Sequence, residues 1–529
     1  MAELQSYRSH HGLNFSDDSK LQDSVNDADI SRYLYQHNMI HQRVDTLYRP
    51  SFFAYIPRIF RFDNAPIEAT GIAMSFYSRF QIFMASLYVG VGMLQLATAE
   101  AIQQCQDAVN HDSCVQNARV YGFKPSSLLT NIGVIAGFFI TVLLPLIGAI
   151  VDHTPYRRQV GAFSAFGIVA IKAIEINLNS RTWFFMACLQ VFSAILFQLL
   201  SVTEHAYSAE LSSDPAQQSK YQTYFFFLTF VSLLIYMLQV LIPGKLLGWD
   251  DAGIARLGAA ISVFWSSPLF IICWRYLFRD RPALSRISAN QSLLTSGFSK
   301  LYHTYQTIQV DYPAVQWFLR SVAFSESANY ALNTIATTYL SEYMGMPSLQ
   351  IGMVIIVILI GGIPGTLLGN YTAQRYNPVS SAQLCLALYL VVTSVASVIL
   401  RPGATYGAFL VGFFWGICKG WLHPIHTALF VTIIPKGQEV ELMGLYFFCC
   451  QIFSFIPPLM FTVLNEHGLS MQWGLASLNI YFIVGWLGLQ CMGTYQDALD
   501  RAQARTNSAS SALAKFSEDD VHLISAEGI

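Results

Sequence analysis

The sequence predicts an all-α membrane protein with twelve transmembrane helices in two six-helix bundles. Three observations carry that expectation. Of 529 residues, 53% are hydrophobic and only 12% charged, and mean hydropathy is +0.42; a water-soluble domain carries about 25% charge. Apolar runs of about 20 residues, enough to cross a bilayer, recur along the chain. A polar, basic stretch divides them six and six, and the loop after the second run has an echo after the eighth.

Taken in order, residues 1–74 form a polar N-terminal segment. Its first thirty or so residues are rich in Ser, Asp, Asn and Gln and read as disordered. The segment lacks the apolar core of a secretory signal, so the first span must begin translocation itself. The first bundle occupies 75–277, with runs near 76–98, 128–151, 160–178, 183–202, 224–242 and 254–277. A linker, 278–314, holds Arg279, Arg281, Arg286 and Lys300 and no long apolar run. The second bundle occupies 315–494, with runs near 315–339, 351–369, 381–400, 406–434, 443–464 and 473–492, and a polar tail follows over 495–529.

An even number of spans puts both termini on one side. Lys and Arg choose the side, because cytoplasmic loops hold the excess. The loops that share a side with the termini and linker carry about twice as many Lys and Arg as the others, which makes both termini cytoplasmic. A net charge of -2 suggests no nucleic-acid partner. Seven of the nine cysteines lie in apolar runs and read as small hydrophobes. Cys105 and Cys114 share one polar loop on the non-cytoplasmic side. A disulfide between them suits an oxidising compartment, and two free loop thiols are the alternative.

The second and third runs are joined by G-A-I-V-D-H-T-P-Y-R-R-Q, from Gly148 to Gln159. Gly148 allows close helix approach, Asp152 can cap a helix or accept from the arginines, and Arg157 and Arg158 hold the loop on the cytoplasmic side. Its echo, G-I-P-G-T-L-L-G-N-Y-T-A-Q-R, runs from Gly362 to Arg375. This loop, repeated in two six-span halves, resembles the major facilitator transporters, which place substrate near the midplane between halves.

The stretch from Ile434 to Phe461 (I-P-K-G-Q-E-V-E-L-M-G-L-Y and onward to Pro458) resembles the vacuolar amino-acid effluxers called autophagy-related protein 22. So do N-Y-A-L-N-T-I, Asn329 to Ile335, and Gly362 to Gly369. The resemblance is fullest in the second half. It departs at Tyr330, where the family commonly has Asp, and at K-G-W-L-H-P-I-H, Lys419 to His426. The resemblance implies a secondary transporter releasing amino acids from a vacuole or lysosome by alternating access, with a proton as a candidate coupling ion. An exporter of another small organic molecule, at the plasma membrane or an internal one, is the alternative.

Ionisable groups inside a span are costly and tend to face a cavity or a partner. In the seventh run Glu326, Asn329, Asn333 and Thr337 share a helix face by their spacing of three, four and four. In the tenth, Lys419, His423 and His426 share another, with Pro424 able to kink the helix. In the facilitator fold spans one, four, seven and ten line the cavity. That makes both stripes candidates for substrate binding and coupling, with Glu326 meeting an ammonium or a proton, Lys419 meeting a carboxylate, and the histidines titrating. A structural polar seam, with Lys419 paired to Glu326, is the alternative. Arg79 and Arg320 are expected to snorkel at span ends, Lys172 and Glu175 to form a local ion pair, and Glu204 and His205 to end the fourth span on the cytoplasmic side. Asp519, Leu523 and Ile524 in the tail have the spacing of an acidic dileucine signal, which a sorting adaptor would bind. No phosphate loop, nucleophile elbow or metal-ligand spacing is present. The sequence therefore calls for no cofactor or metal and for no enzyme; its partners are a small-molecule substrate and the lipid membrane.

Overall fold

The computed structural model describes residues 51–62, 65–104, 118–212, 215–281, 292–434 and 439–500. The regular elements among these residues are all helices, with no strand. The first bundle comprises α1 (Ile67–Gln103), α2 (Leu128–His153), α3 (Arg157–Glu175), α4 (Trp183–Ala209), α5 (Pro215–Leu247) and α6 (Asp251–Ile272), the last extended by a π-helical turn over Cys273–Leu277. A linker helix, α7 (Leu293–Asp311), precedes the second bundle. That bundle comprises α8 (Pro313–Thr338) with a π-helical turn over Tyr339–Tyr343, α9 (Ser348–Arg375), α10 (Pro378–Ile399) and α11 (Thr405–Ile433). Its last two spans are broken: α12 (Glu439–Ile452) with α13 (Ile456–Glu466), and α14 (Met471–Ala476) with α15 (Leu478–Cys491). The break before α13 follows from Pro457 and Pro458, which have no N–H to continue the ladder of α12.

Ten of these spans are long and apolar enough to cross a membrane by composition. The other two, α3 and α8, fall short because they carry the polar groups. α3 buries Lys172 and Glu175, and α8 buries Glu326 and Asn329 beside a run of serines. Such polar spans belong inside a bundle. The Lys172–Glu175 pair is the local one expected, 2.7 Å apart and fully enclosed.

Close helix packing in the second bundle comes from glycine. On α9, Gly361, Gly365 and Gly369 press against the Phe413 carbonyl, the Ile417 carbonyl and the Trp421 ring of α11. In return, Gly416 and Gly420 of α11 press against the Ile358 and Gly362 carbonyls of α9. No side chain fits between such backbones, the small-residue solution to packing in lipid. Pro424 does not break α11. It removes the donor that would have met the Gly420 carbonyl, and Thr366 Oγ1 from α9 donates to that carbonyl at 2.9 Å instead.

The bundles meet where α2 packs on α12 and α13, where α2 packs on α8, and where α5 packs on α9. One membrane face is sealed by carboxylates that cross this seam. Glu466, the last residue of α13, accepts from the Lys124 backbone N–H (2.8 Å) and lies 3.0 Å from Arg119, both ahead of α2. The neighbouring Asn465 donates to Ser126 and Ser127. On the opposite flank, Asp251 at the start of α6 accepts from the N–H of Ser348, the first residue of α9 (2.8 Å), and from Gln95 of α1. Glu342 accepts from Thr98 between them. Gly248 (φ +62°) and Gly468 (φ +80°) take the left-handed conformation that turns the chain after α5 and α13.

Gly148 does not serve as expected. A side chain there would meet open space; the close approaches on α2 are at Gly137, packed on the Phe455 backbone, and under Gly297 of α7, packed on the Pro145 carbonyl and Ala149. Arg157 and Arg158 bind within the first bundle. Arg157 is 2.7 Å from Glu210, and Arg158 reaches Asp280 (3.0 Å) and the Trp274 and Arg275 carbonyls. Arg375 is exposed in the last turn of α9. The Asp152 side chain, Cys105, Cys114 and the tail residues Asp519, Leu523 and Ile524 lie outside the described residues, as do residues 1–50.

Candidate functional site

The polar stripe of α8 meets the polar stripe of α11, with α10 completing the wall. Glu326 is fully buried. Its Oε1 lies 3.0 Å from His426 Nδ1 and 3.4 Å from His423 Nδ1. Its Oε2 accepts from Asn329 Nδ2 at 3.0 Å, one turn along α8. A carboxylate in lipid is expensive alone, and here three contacts on two helices support it. Asn329 is held in turn by Tyr389 of α10, whose hydroxyl donates to its side-chain oxygen at 2.8 Å.

Lys419 is the departure from the simple pairing. Its Nζ donates to the backbone and side-chain oxygens of Asn329, at 3.1 and 3.3 Å, and does not pair directly with Glu326. The ammonium is half-buried and held by neutral oxygens. Of the predicted residues, Glu326, Asn329, Lys419, His423 and His426 are therefore brought into one connected network. Asn333 stands aside; it is half-buried, and its backbone oxygen accepts from Thr337 at 2.8 Å. Tyr389 went unpredicted because a lone Tyr in an apolar run gives no pattern.

The first bundle contributes a second charged pair. Arg79 was expected to snorkel and Glu204 to end the fourth span on the cytoplasmic side. Instead both are buried, with Arg79 Nε 2.9 Å from Glu204 Oε2 and Ser75 Oγ donating to Glu204. The reason is helix length: α1 starts at Ile67, not near Phe76, so Arg79 sits too deep to reach water. Arg320, by contrast, is exposed and lies over the Trp317 ring, 4.7 Å from its centroid, as expected of a span-end arginine. His205, one residue after Glu204, packs on Phe447 of α12 with ring centroids 4.7 Å apart, so this cluster touches the other bundle. Phe226 of α5 lies near His423 in the same way, at 6.4 Å. No group of three or more metal-ligating side chains occurs among the described residues.

Two six-helix bundles that face one another across a buried, charge-bearing midplane define a membrane transporter. The model of the Major Facilitator Superfamily matches residues 72–458, and the chain belongs to that superfamily, whose members are secondary transporters. Solved structures agree on the fold. A human organic anion transporter, MFSD10 (TETRAN), is 13% identical with a TM-score of 0.55, covering 80% of this chain and 99% of its own. A mutant of the nucleoside transporter NupG is 11% identical with a TM-score of 0.54, covering 81% and 100%. A D-xylose-proton symporter is 14% identical with a TM-score of 0.52, covering 80% and 97%. At these identities the likeness concerns the fold alone. No curated protein matches the chain.

Proposed function

We propose that this facilitator carries a small carboxylate-bearing solute, an amino acid foremost, from a vacuolar or lysosomal lumen to the cytosol, with a proton as its coupling ion. The observation that carries the reading is the arrangement of Lys419 and Glu326. An ammonium resting on neutral Asn329 oxygens is ready to receive a carboxylate without first breaking an ion pair. One residue's width away stands a carboxylate clasped by two imidazoles. Histidine titrates between cytosolic and lumenal acidity, so His423 is the candidate to hold and release a proton beside Glu326. Both termini face the cytosol in this reading, which rests on the distribution of Lys and Arg. The lumenal loop that holds Cys105 and Cys114 would then lie where disulfides form.

The test is uptake by liposomes holding the purified protein, offered a panel of labelled amino acids with and without an imposed proton gradient. Amino-acid flux that rises with the gradient is the expected result. Lys419→Met should raise the half-saturating concentration at least about 30-fold, since removing one partner of a buried charged contact costs about 2 kcal/mol or more. Glu326→Gln should uncouple flux from the gradient. Unchanged flux in both variants would refute the reading. The location is checked separately by imaging the full chain with Leu523 and Ile524 changed to Ala; loss of vacuolar or lysosomal signal is expected. The alternative reading, an exporter of organic anions in general, is favoured by one observation: each buried carboxylate of the site is already engaged, whereas the Lys419 ammonium has none. Flux of simple carboxylic acids in place of amino acids would select it.

A further inference from the structure

The reading above uses only the second bundle, yet the first bundle presents its own cation to the same space. Arg79 is 3% exposed, and its Nε lies 2.9 Å from Glu204 Oε2. Its two terminal nitrogens make no hydrogen bond among the described residues. Aromatic rings fix the guanidinium's position, with its carbon 4.7, 4.9 and 5.1 Å from the centroids of Phe76, Phe80 and Phe197. A rigid fork with unspent donors is the geometry that reads a planar carboxylate.

The space in front of that fork is shared with the other bundle. Phe76, one of those rings, lies 6.0 Å by centroid from His205, which packs on Phe447 of α12 at 4.7 Å, and Phe226 of α5 lies 6.4 Å from His423 of α11. Tyr330 of α8 is 39% exposed. Four residues after Glu326, it shares that face of the helix, so an accessible surface opens beside the buried network. Arg79 on α1 and Lys419 on α11 therefore present cations toward that seam from opposite bundles.

We infer that the solute carries two acidic groups, one read by Arg79 and the other by Lys419, so that the substrate class is a dicarboxylate, an acidic amino acid included. This rests on the transport reading above for its site and extends it to the ligand's second anion. Charge balance supports it. The fixed charges Arg79, Glu204, Lys419 and Glu326 sum to zero, and a diacid adds two negative charges in a low-dielectric site. Proton uptake at His423, 3.4 Å from Glu326, offsets part of that charge and ties diacid binding to protonation. A monoacid needs only one of the two cations, so the second would stay unused.

The experiment is direct binding to the full-length purified protein in detergent, read by thermal shift and by displacement of labelled ligand. The probes are succinate, glutamate, glutamine and a monocarboxylate of equal length. The wild type is expected to bind succinate and glutamate at least 10-fold more tightly than glutamine and the monoacid. Arg79→Gln should erase that preference while leaving monoacid binding within a factor of two, and Arg79→Lys should restore part of it. Succinate binding without glutamate binding would uphold the two-anion site and refute the amino-acid reading. Equal affinity for diacid and monoacid in the wild type would overturn the inference. So would an Arg79→Gln variant that stays folded, by its melting curve, and keeps the full preference. If Arg79→Gln fails to fold, Lys419→Met, with the ligand panel on the wild type, decides the same question. Loss of diacid preference in Lys419→Met supports the two-cation site, and retention in it overturns that site.

Discussion

The seam-crossing carboxylates make a quantitative prediction about which face opens. Glu466→Ala removes one hydrogen bond to the Lys124 backbone N–H and one ion pair with Arg119. The first resembles the loss of a helix cap, about 1 kcal/mol. The second involves an arginine 48% exposed and a glutamate 20% exposed, so it is worth at most about 1 kcal/mol in solvent. The sum, about 1.5–2 kcal/mol, shifts the equilibrium between closed and open forms of this face by roughly 10- to 30-fold. Asp251→Ala should act more strongly. Ser348, 1% exposed, then loses the acceptor of its N–H, a cost of about 1–3 kcal/mol. The two sites share no partner, so the double variant should show the summed shift. Spin labels at Tyr121 and Leu469, exposed on this face in opposite bundles, report the separation directly in a background without reactive cysteines. The expected result is growth of a longer-distance population, larger in Asp251→Ala than in Glu466→Ala and largest in the pair. An unchanged distance distribution in all three would refute the assignment of these carboxylates as the closure of this face.

Two further outcomes follow from buried contacts. Lys172→Met leaves Glu175 charged and unpaired in a fully enclosed site, and should destabilise by about 3–5 kcal/mol, while Lys172→Met with Glu175→Leu should recover most of that loss; melting temperature in detergent reads both. Thr366→Val keeps the volume but orphans the Gly420 carbonyl, and a loss of about 1–3 kcal/mol is expected in the same assay.

Much of the architecture could be read from the chain because lipid imposes a simple length rule. Errors arose where a span begins with polar residues. α1 starts at Ile67 and carries Glu68, whose carboxylate pairs with Arg281 at 2.9 Å, and α5 starts at Pro215 through a Gln- and Lys-bearing turn. A hydropathy window discards such turns although helix geometry continues through them. The second-bundle network was legible because its members recur every three or four residues, and helix periodicity alone places them on one face. The first-bundle pair was not. Arg79 and Glu204 are brought together only by the packing of α1 on α4, and nothing local in either helix announces the partner. The same limit hid the role of Asn329, which stands between Lys419 and Glu326, and of Tyr389, which fixes it.

The interlocked glycines of α9 and α11 have a mechanical consequence. Backbones nested at this distance cannot slide past one another without collision, and the Thr366 bridge pins their register at the proline. The two helices therefore behave as one stiff lever. One end of that lever rests on Asp251 across the seam, and its middle bears Lys419, His423 and His426. A push delivered at the rim arrives at the cations without slack, and occupancy among the cations is felt at the rim by the same rod.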